Sequence, residues 1–213
     1  YEDDELLVIN KPHGLLSVGN ESEKALTAYR AAMNYVRLKH PQNRIFIVHR
    51  LDKDTSGVLL FAKTEEMKLL LQKNWDRIAV RRGYVAVVEG ISKAKEGTIR
   101  TWLNENSIHK VYSAREGEGV EAITNFAVAR ECRDYSLMKL DIKTGRKNQI
   151  RVHMAENGTP VAGDKKYGAK TNPLRRVCLH ADELAIKHPK TGELMRFKAN
   201  TPRRFAGLVK HGK

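Results

Sequence analysis

Cysteine is scarce. Only Cys132 and Cys178 occur, far apart and without CxxC spacing, which excludes a disulfide framework and a cysteine zinc site and reads as two reduced, partly buried thiols. No apolar run approaches membrane-spanning length and no charged leader precedes a cleavable apolar segment, so a soluble, cytoplasmic protein is expected. Internal repeats, low-complexity tracts and obvious linkers are missing too. The HExxH zinc motif, the GxxxxGK[ST] phosphate loop and the GxSxG nucleophile elbow are absent. The eight His residues show no ligand spacing, which argues against a nuclease or deaminase built on a metal or a His acid/base pair.

What the chain has in excess is positive charge. Lys and Arg number 39 against 25 Asp and Glu, a formal net charge of +14, which favours a polyanionic partner and nucleic acid first. With 213 residues, 41% of them hydrophobic, the chain can bury a substantial core as one domain over residues 1–213, formed of two joined lobes. It opens at Tyr1 rather than Met. No S4-like RNA-binding module is expected within it, and an upstream one stays open.

Strand signals fall at Leu6–Ile9, Ile45–Val48, Val58–Ala62, Tyr84–Val88, Gly97–Leu103, Ala122–Ala129, Tyr135–Ile142, about Val177–Ile186 and Leu194–Phe197. Helical spacing runs from Ser22, a candidate cap, to Lys39, again around Thr64 to Trp75, and from Thr144 to a stop at Asn157-Gly158-Thr159-Pro160. The polar stretch from Asn104 to Gly119 reads as a long turn or hairpin tip. Strands outnumber helices and several are joined by turns too short for a crossover, so the expected class is α+β with a mixed, mainly antiparallel sheet.

Two segments stand out chemically. His49-Arg50-Leu51-Asp52-Lys53-Asp54-Thr55-Ser56-Gly57 is a polar block held between apolar strands; a functional loop and a self-bonded solvated turn fit it equally well. Asp52, Asp54, Ser56 and Gly57 match the first half of a calcium loop, but Lys63 stands where the bidentate Glu belongs and strands flank the block, which excludes calcium. The second segment runs from Thr144 to Met154. Lys147 and Arg151, one helical turn apart, predict a basic face, and a Thr-Gly helix start predicts backbone donors suited to phosphate.

The strings HRLDKDTSGVLLFAKT, RRGYVAVVEG, TGRKNQIRVHMAENGTPVAGDKKYG and CLHADELAIKHP together resemble the RluA-type RNA pseudouridine synthases, in the order that family shows, from about Leu6 to about Pro202. The resemblance implies a pseudouridine synthase fold with a central RNA-binding cleft, and neither a metal nor an organic cofactor. It implies Asp52 as the catalytic aspartate, Tyr84 as the tyrosine against the target base, and Arg151 as the basic residue paired with the aspartate. Arg50 corresponds to an arginine that helps displace the target base or occupies its place. One departure is Asn148, where the family commonly has His.

In this reading the chain isomerises uridines in structured RNA, ribosomal RNA first and transfer RNA next, acting as a monomer. His49, Arg50, Arg81, Arg82, Arg146, Lys147, Asn148, Lys165 and Lys166 are the expected RNA-binding residues, with Lys11, Arg77, Arg175, Arg176, Arg203 and Arg204 as further phosphate candidates. The competing reading is a cationic RNA-binding or ribosome-assembly protein without turnover. Asp52 can attack the sugar, add to the uracil ring or remove a sugar proton, and the sequence does not choose among these routes.

Overall fold

The computed structural model describes residues 1–19, 23 and 25–210. It has an α+β fold that divides into two compact units: Tyr1–Val80 with Ala181–Asn200, and Arg81–His180 with Thr201–Lys213.

The first unit opens with β1 (Leu6–Lys11), followed by α1 (Ala28–Lys39), β2 (Phe46–Ile47), β3 (Ser56–Ala62), α2 (Glu65–Lys73) and the short α3 (Trp75–Ile78). The Thr27 hydroxyl accepts the Arg30 N–H at 3.0 Å and starts α1 there. The Ser22 cap expected for this helix lies outside the described residues. Thr64 caps α2 in the same way, accepting the Met67 N–H at 3.1 Å. β1 runs antiparallel to β3, Leu6 opposite Ala62, and β2 pairs with the far end of β3. Every residue of β3 is buried, so it reads as a continuous apolar run rather than an alternation. β9 (Leu179–Lys187) and β10 (Leu194–Lys198) pair with Leu194 opposite Lys187. Leu6, Leu60, Met67, Leu71, Ile186 and Phe197 meet in this unit's core.

The second unit orders its strands β4-β8-β7-β5-β6, where β4 is Ala79–Glu89, β5 Glu96–Glu105, β6 Val111–Ala114, β7 Val120–Glu131 and β8 Tyr135–Ile142. All of these pairs are antiparallel, in line with the expected class. The stretch expected as a hairpin tip holds β6, paired with β5 so that Trp102 faces Ala114. α4 (Gln149–Glu156) and α5 (Arg203–Leu208) complete the unit. Val87, Met138, Met154, Val161, Cys178 and Phe205 share one core. Both cysteines are free thiols, and burial pushes the Cys178 thiol up to about 11.

Among the described residues no helix is long and apolar enough to cross a membrane.

Candidate active site

In the first unit, the polar block joins β2 to β3 and is pinned by two distant residues. The Ser17 hydroxyl donates to the Leu51 carbonyl (2.7 Å) and accepts the Leu51 N–H (3.0 Å). The Lys11 ammonium donates to the carbonyls of Pro12 (3.0 Å), Leu15 (2.6 Å) and Lys53 (3.2 Å), and the Gly14 N–H meets the same Lys53 carbonyl at 2.9 Å. Thr55 N–H closes the turn on the Asp52 carbonyl at 3.1 Å. The residues on either side of Asp52 are therefore fixed, and Asp52 itself is half-buried. Arg50 is exposed. His49 is held inside the unit: its ring stacks on Trp75 with centroids 5.0 Å apart, and Nε2 accepts the Leu60 N–H at 3.1 Å. Lys11, grouped by sequence with the phosphate contacts, is fully buried, so its ammonium serves the protein's own carbonyls.

The second unit carries the Thr144–Met154 segment, and here the structure corrects the sequence. Thr144 to Asn148 is a loop, and α4 begins at Gln149 after Asn148 adopts a left-handed conformation (φ 53°). The Gln149 side chain organises this entry. Its Oε1 accepts from the Thr144 hydroxyl (2.8 Å) and the Arg146 N–H (3.1 Å), while its amide donates to the Ile123 carbonyl (3.0 Å) and the Thr124 hydroxyl (2.9 Å). A Thr-Gly helix start presenting amides to phosphate is thus not formed. Nor is a shared basic face, because Lys147 precedes the helix and pairs with Glu105, while Arg151 is turned inward.

Arg151 meets Asp164 in a bidentate bond, Nε to Oδ2 at 2.6 Å and Nη2 to Oδ1 at 2.8 Å. The Tyr167 ring stands 5.1 Å from the guanidinium carbon. The Tyr167 hydroxyl donates to Asn148 Oδ1 (3.1 Å) and accepts the Val111 N–H (3.3 Å). Asn148, buried and strained into its left-handed turn, therefore supports the tyrosine that lies against Arg151.

The remaining candidates divide by burial. Arg82 is 7% exposed; its Nε donates to the Ile142 carbonyl at 3.2 Å and its Nη2 to the Lys143 carbonyl, so it fastens the start of β4 to the end of β8 instead of projecting towards RNA. Arg176, half-buried, donates to the carbonyls of Val177 (3.0 Å) and Leu179 (3.1 Å) with its guanidinium 5.2 Å from the Phe205 ring centre. Arg81, Arg146, Lys147, Lys165 and Lys166 are exposed. Of these, Arg146 Nε reaches the Glu121 carbonyl (3.0 Å) and Lys166 the His109 carbonyl (2.8 Å). Tyr84 is half-buried on β4 opposite Leu140, one edge against the unit's core.

Sequence reasoning assigned no role to Ser17, Gln149, Asp164 or Tyr167. A signal for Asp164 existed: an arginine inside an apolar helix needs a buried counter-charge, and Gly163-Asp164 is the acid nearest in sequence after the helix stop.

Comparison with known proteins matches a family model described as RNA pseudouridylate synthase to residues 5–156. The uncharacterized RNA pseudouridine synthase YhcT of Bacillus subtilis (strain 168) is 34% identical over 212 residues, covering 99% of this chain and 70% of its own length. Ribosomal large subunit pseudouridine synthase D of Pasteurella multocida (strain Pm70) is 33% identical over 223 residues, 98% of this chain and 68% of its own. Among solved structures, human RNA pseudouridylate synthase domain containing 4 shares the fold with a TM-score of 0.79 at 22% identity, over 97% of this chain and 89% of that one. Human RNA pseudouridylate synthase domain containing 1 gives a TM-score of 0.75 at 25% identity, over 95% and 82%. With one family model spanning most of its length and relatives about one-third identical across nearly all of it, the chain belongs to the RluA-type RNA pseudouridine synthases, isomerases that act on RNA.

Proposed function

We propose that this chain converts uridines of large-subunit ribosomal RNA to pseudouridine in the cytoplasm, with Asp52 as the catalytic carboxylate. The observation that carries the proposal is the anchoring of Asp52 between Leu51 and Lys53, whose backbones are held by Ser17 and by the buried Lys11. A carboxylate on a supported turn keeps one position against a substrate, as a reacting group must. The ribosomal assignment follows relatives such as the large-subunit pseudouridine synthase D of Pasteurella multocida.

The reaction is an isomerisation. The bond from C1′ to N1 breaks, the uracil turns, a bond from C1′ to C5 forms, the C5 proton leaves and N1 gains one. A base within a helix must first be extruded, at a cost of a few kcal/mol. Tyr84 offsets part of that by stacking on the base, worth about 1 to 3 kcal/mol. Arg50 is exposed beside Asp52 and takes the space the base vacates. Arg151 takes the part that the family resemblance implies, the basic partner of the catalytic aspartate.

The test compares wild-type and Asp52→Asn protein on total RNA from a strain lacking the gene, with pseudouridine mapped at nucleotide resolution. Sites in large-subunit ribosomal RNA restored by the wild type alone are expected. Sites restored by both would remove Asp52 from its role, and sites found only in another RNA class would overturn the substrate.

A further inference from the structure

Asp164 has no exposed side-chain surface and Arg151 only 7%. Taking two opposite charges out of water is costly, and an apolar pair of similar volume often packs with equal or greater stability. What the ion pair supplies and an apolar pair cannot is a guanidinium held in a fixed plane. The two parallel bonds use the Nε and Nη2 edge, which fixes both the position and the tilt of the group. Tyr167 lies against the guanidinium, and its own hydroxyl is bound at Asn148 and Val111. Asp164 is fixed in turn: its carbonyl accepts the N–H groups of Tyr167 (3.1 Å) and Ala169 (3.1 Å), and its own N–H donates to Val161 at 3.0 Å.

We propose that Asp164 is a positioning residue for pseudouridine formation, gripping Arg151 by one edge so that the guanidinium keeps a single orientation for its part in the reaction. This rests on the role given to Arg151 above. Being wholly buried, Asp164 is out of reach of RNA, so its effect falls on turnover and not on affinity.

The experiment measures single-turnover tritium release from total RNA of a deletion strain labelled at uracil C5, together with RNA affinity and melting temperature. The variants are Asp164→Asn, Arg151→Met and the double Arg151→Met/Asp164→Leu. Asp164→Asn is expected to slow turnover roughly 10- to 100-fold, the scale of a lost supporting contact, with RNA affinity unchanged. The double variant replaces the stranded charge by an apolar pair; it should recover the melting temperature but turn over at the Arg151→Met rate, since Asp164 acts only through Arg151. Should Asp164→Asn prove unable to fold, the double variant decides alone. Recovery of its turnover along with its stability would reduce the pair to a structural contact and overturn the proposal, as would wild-type turnover in a folded Asp164→Asn. Full activity in Arg151→Met would instead remove the role of Arg151, and the proposal with it.

Discussion

His153 lies on α4 two residues beyond Arg151, fully buried, with its ring nitrogens 2.9 Å from the hydroxyls of Thr101 and Thr124. Burial holds its pKa down to about 4 from an ordinary 6.5. The unfolded chain therefore binds more protons than the folded one between these values, and stability falls as pH drops from 6.5 to 4. The slope is about 1.4 kcal/mol per pH unit, about 3 kcal/mol in all. Urea titrations at several pH values should show His153→Gln losing less stability than wild type across that window; parallel slopes would mean that the imidazole is not the titrating group. At this scale the sequence marked candidates for chemistry and left burial hidden. Asp52 stood out because its ionisable neighbours sit between apolar strands. Lys11 and Arg82 looked like surface cations, because the carbonyls that hold them include ones remote in sequence, Lys53 for Lys11 and Ile142 and Lys143 for Arg82.

Gly57 links the polar block to β3, and its backbone (φ +120°) places the hydrogen where a Cβ would stand 2.0 Å from the Ala181 carbonyl oxygen. Gly158, just past α4, also has positive φ (+80°) but opens on empty space. Gly57→Ala should therefore cost more than about 3 kcal/mol, because backbone must move, whereas Gly158→Ala should cost about 1 kcal/mol of conformational strain. Thermal melts of the two variants measure the difference, and equal losses would show that the close approach of Ala181 is not decisive. Elements with strong local pattern were legible: β8 spans the expected Tyr135–Ile142, and β3 lies where its apolar run predicts. β2 shrank to two residues, since pairing with β3 and not apolarity sets its length. α4 began late because the side chain of Gln149, bonding across to Ile123 and Thr124, holds the preceding residues out of the helix. α5 escaped notice because it is six residues long and Phe205 is its one buried side chain.

For the molecule as a whole, the gross count of 39 Lys and Arg overstates the cations free to meet RNA. Lys39, Lys63, Lys95, Arg100, Lys143, Lys147, Lys190 and Arg196 each lie in an ion pair with a carboxylate, and Lys11 and Arg82 are internal. Binding should still weaken steeply with salt. About four phosphate contacts on single-stranded segments imply roughly a 50-fold loss of affinity between 50 and 200 mM salt. A flat response in filter binding with labelled ribosomal RNA would refute electrostatic capture. The fold class was readable from strand count and turn length and two lobes from chain length, whereas where the chain divides and which residues build each core depend on long-range packing that local periodicity does not encode.

The grip of Asp164 on Arg151 also constrains how this chain can change over generations. Losing Arg151 first leaves the Asp164 charge alone in a dry interior, a step costing about 3 to 5 kcal/mol that a marginally stable protein rarely survives. Mutational drift at these two positions should therefore be concerted: descendants that keep turnover retain both, those that exchange both lose it, and lineages caught halfway should be scarce.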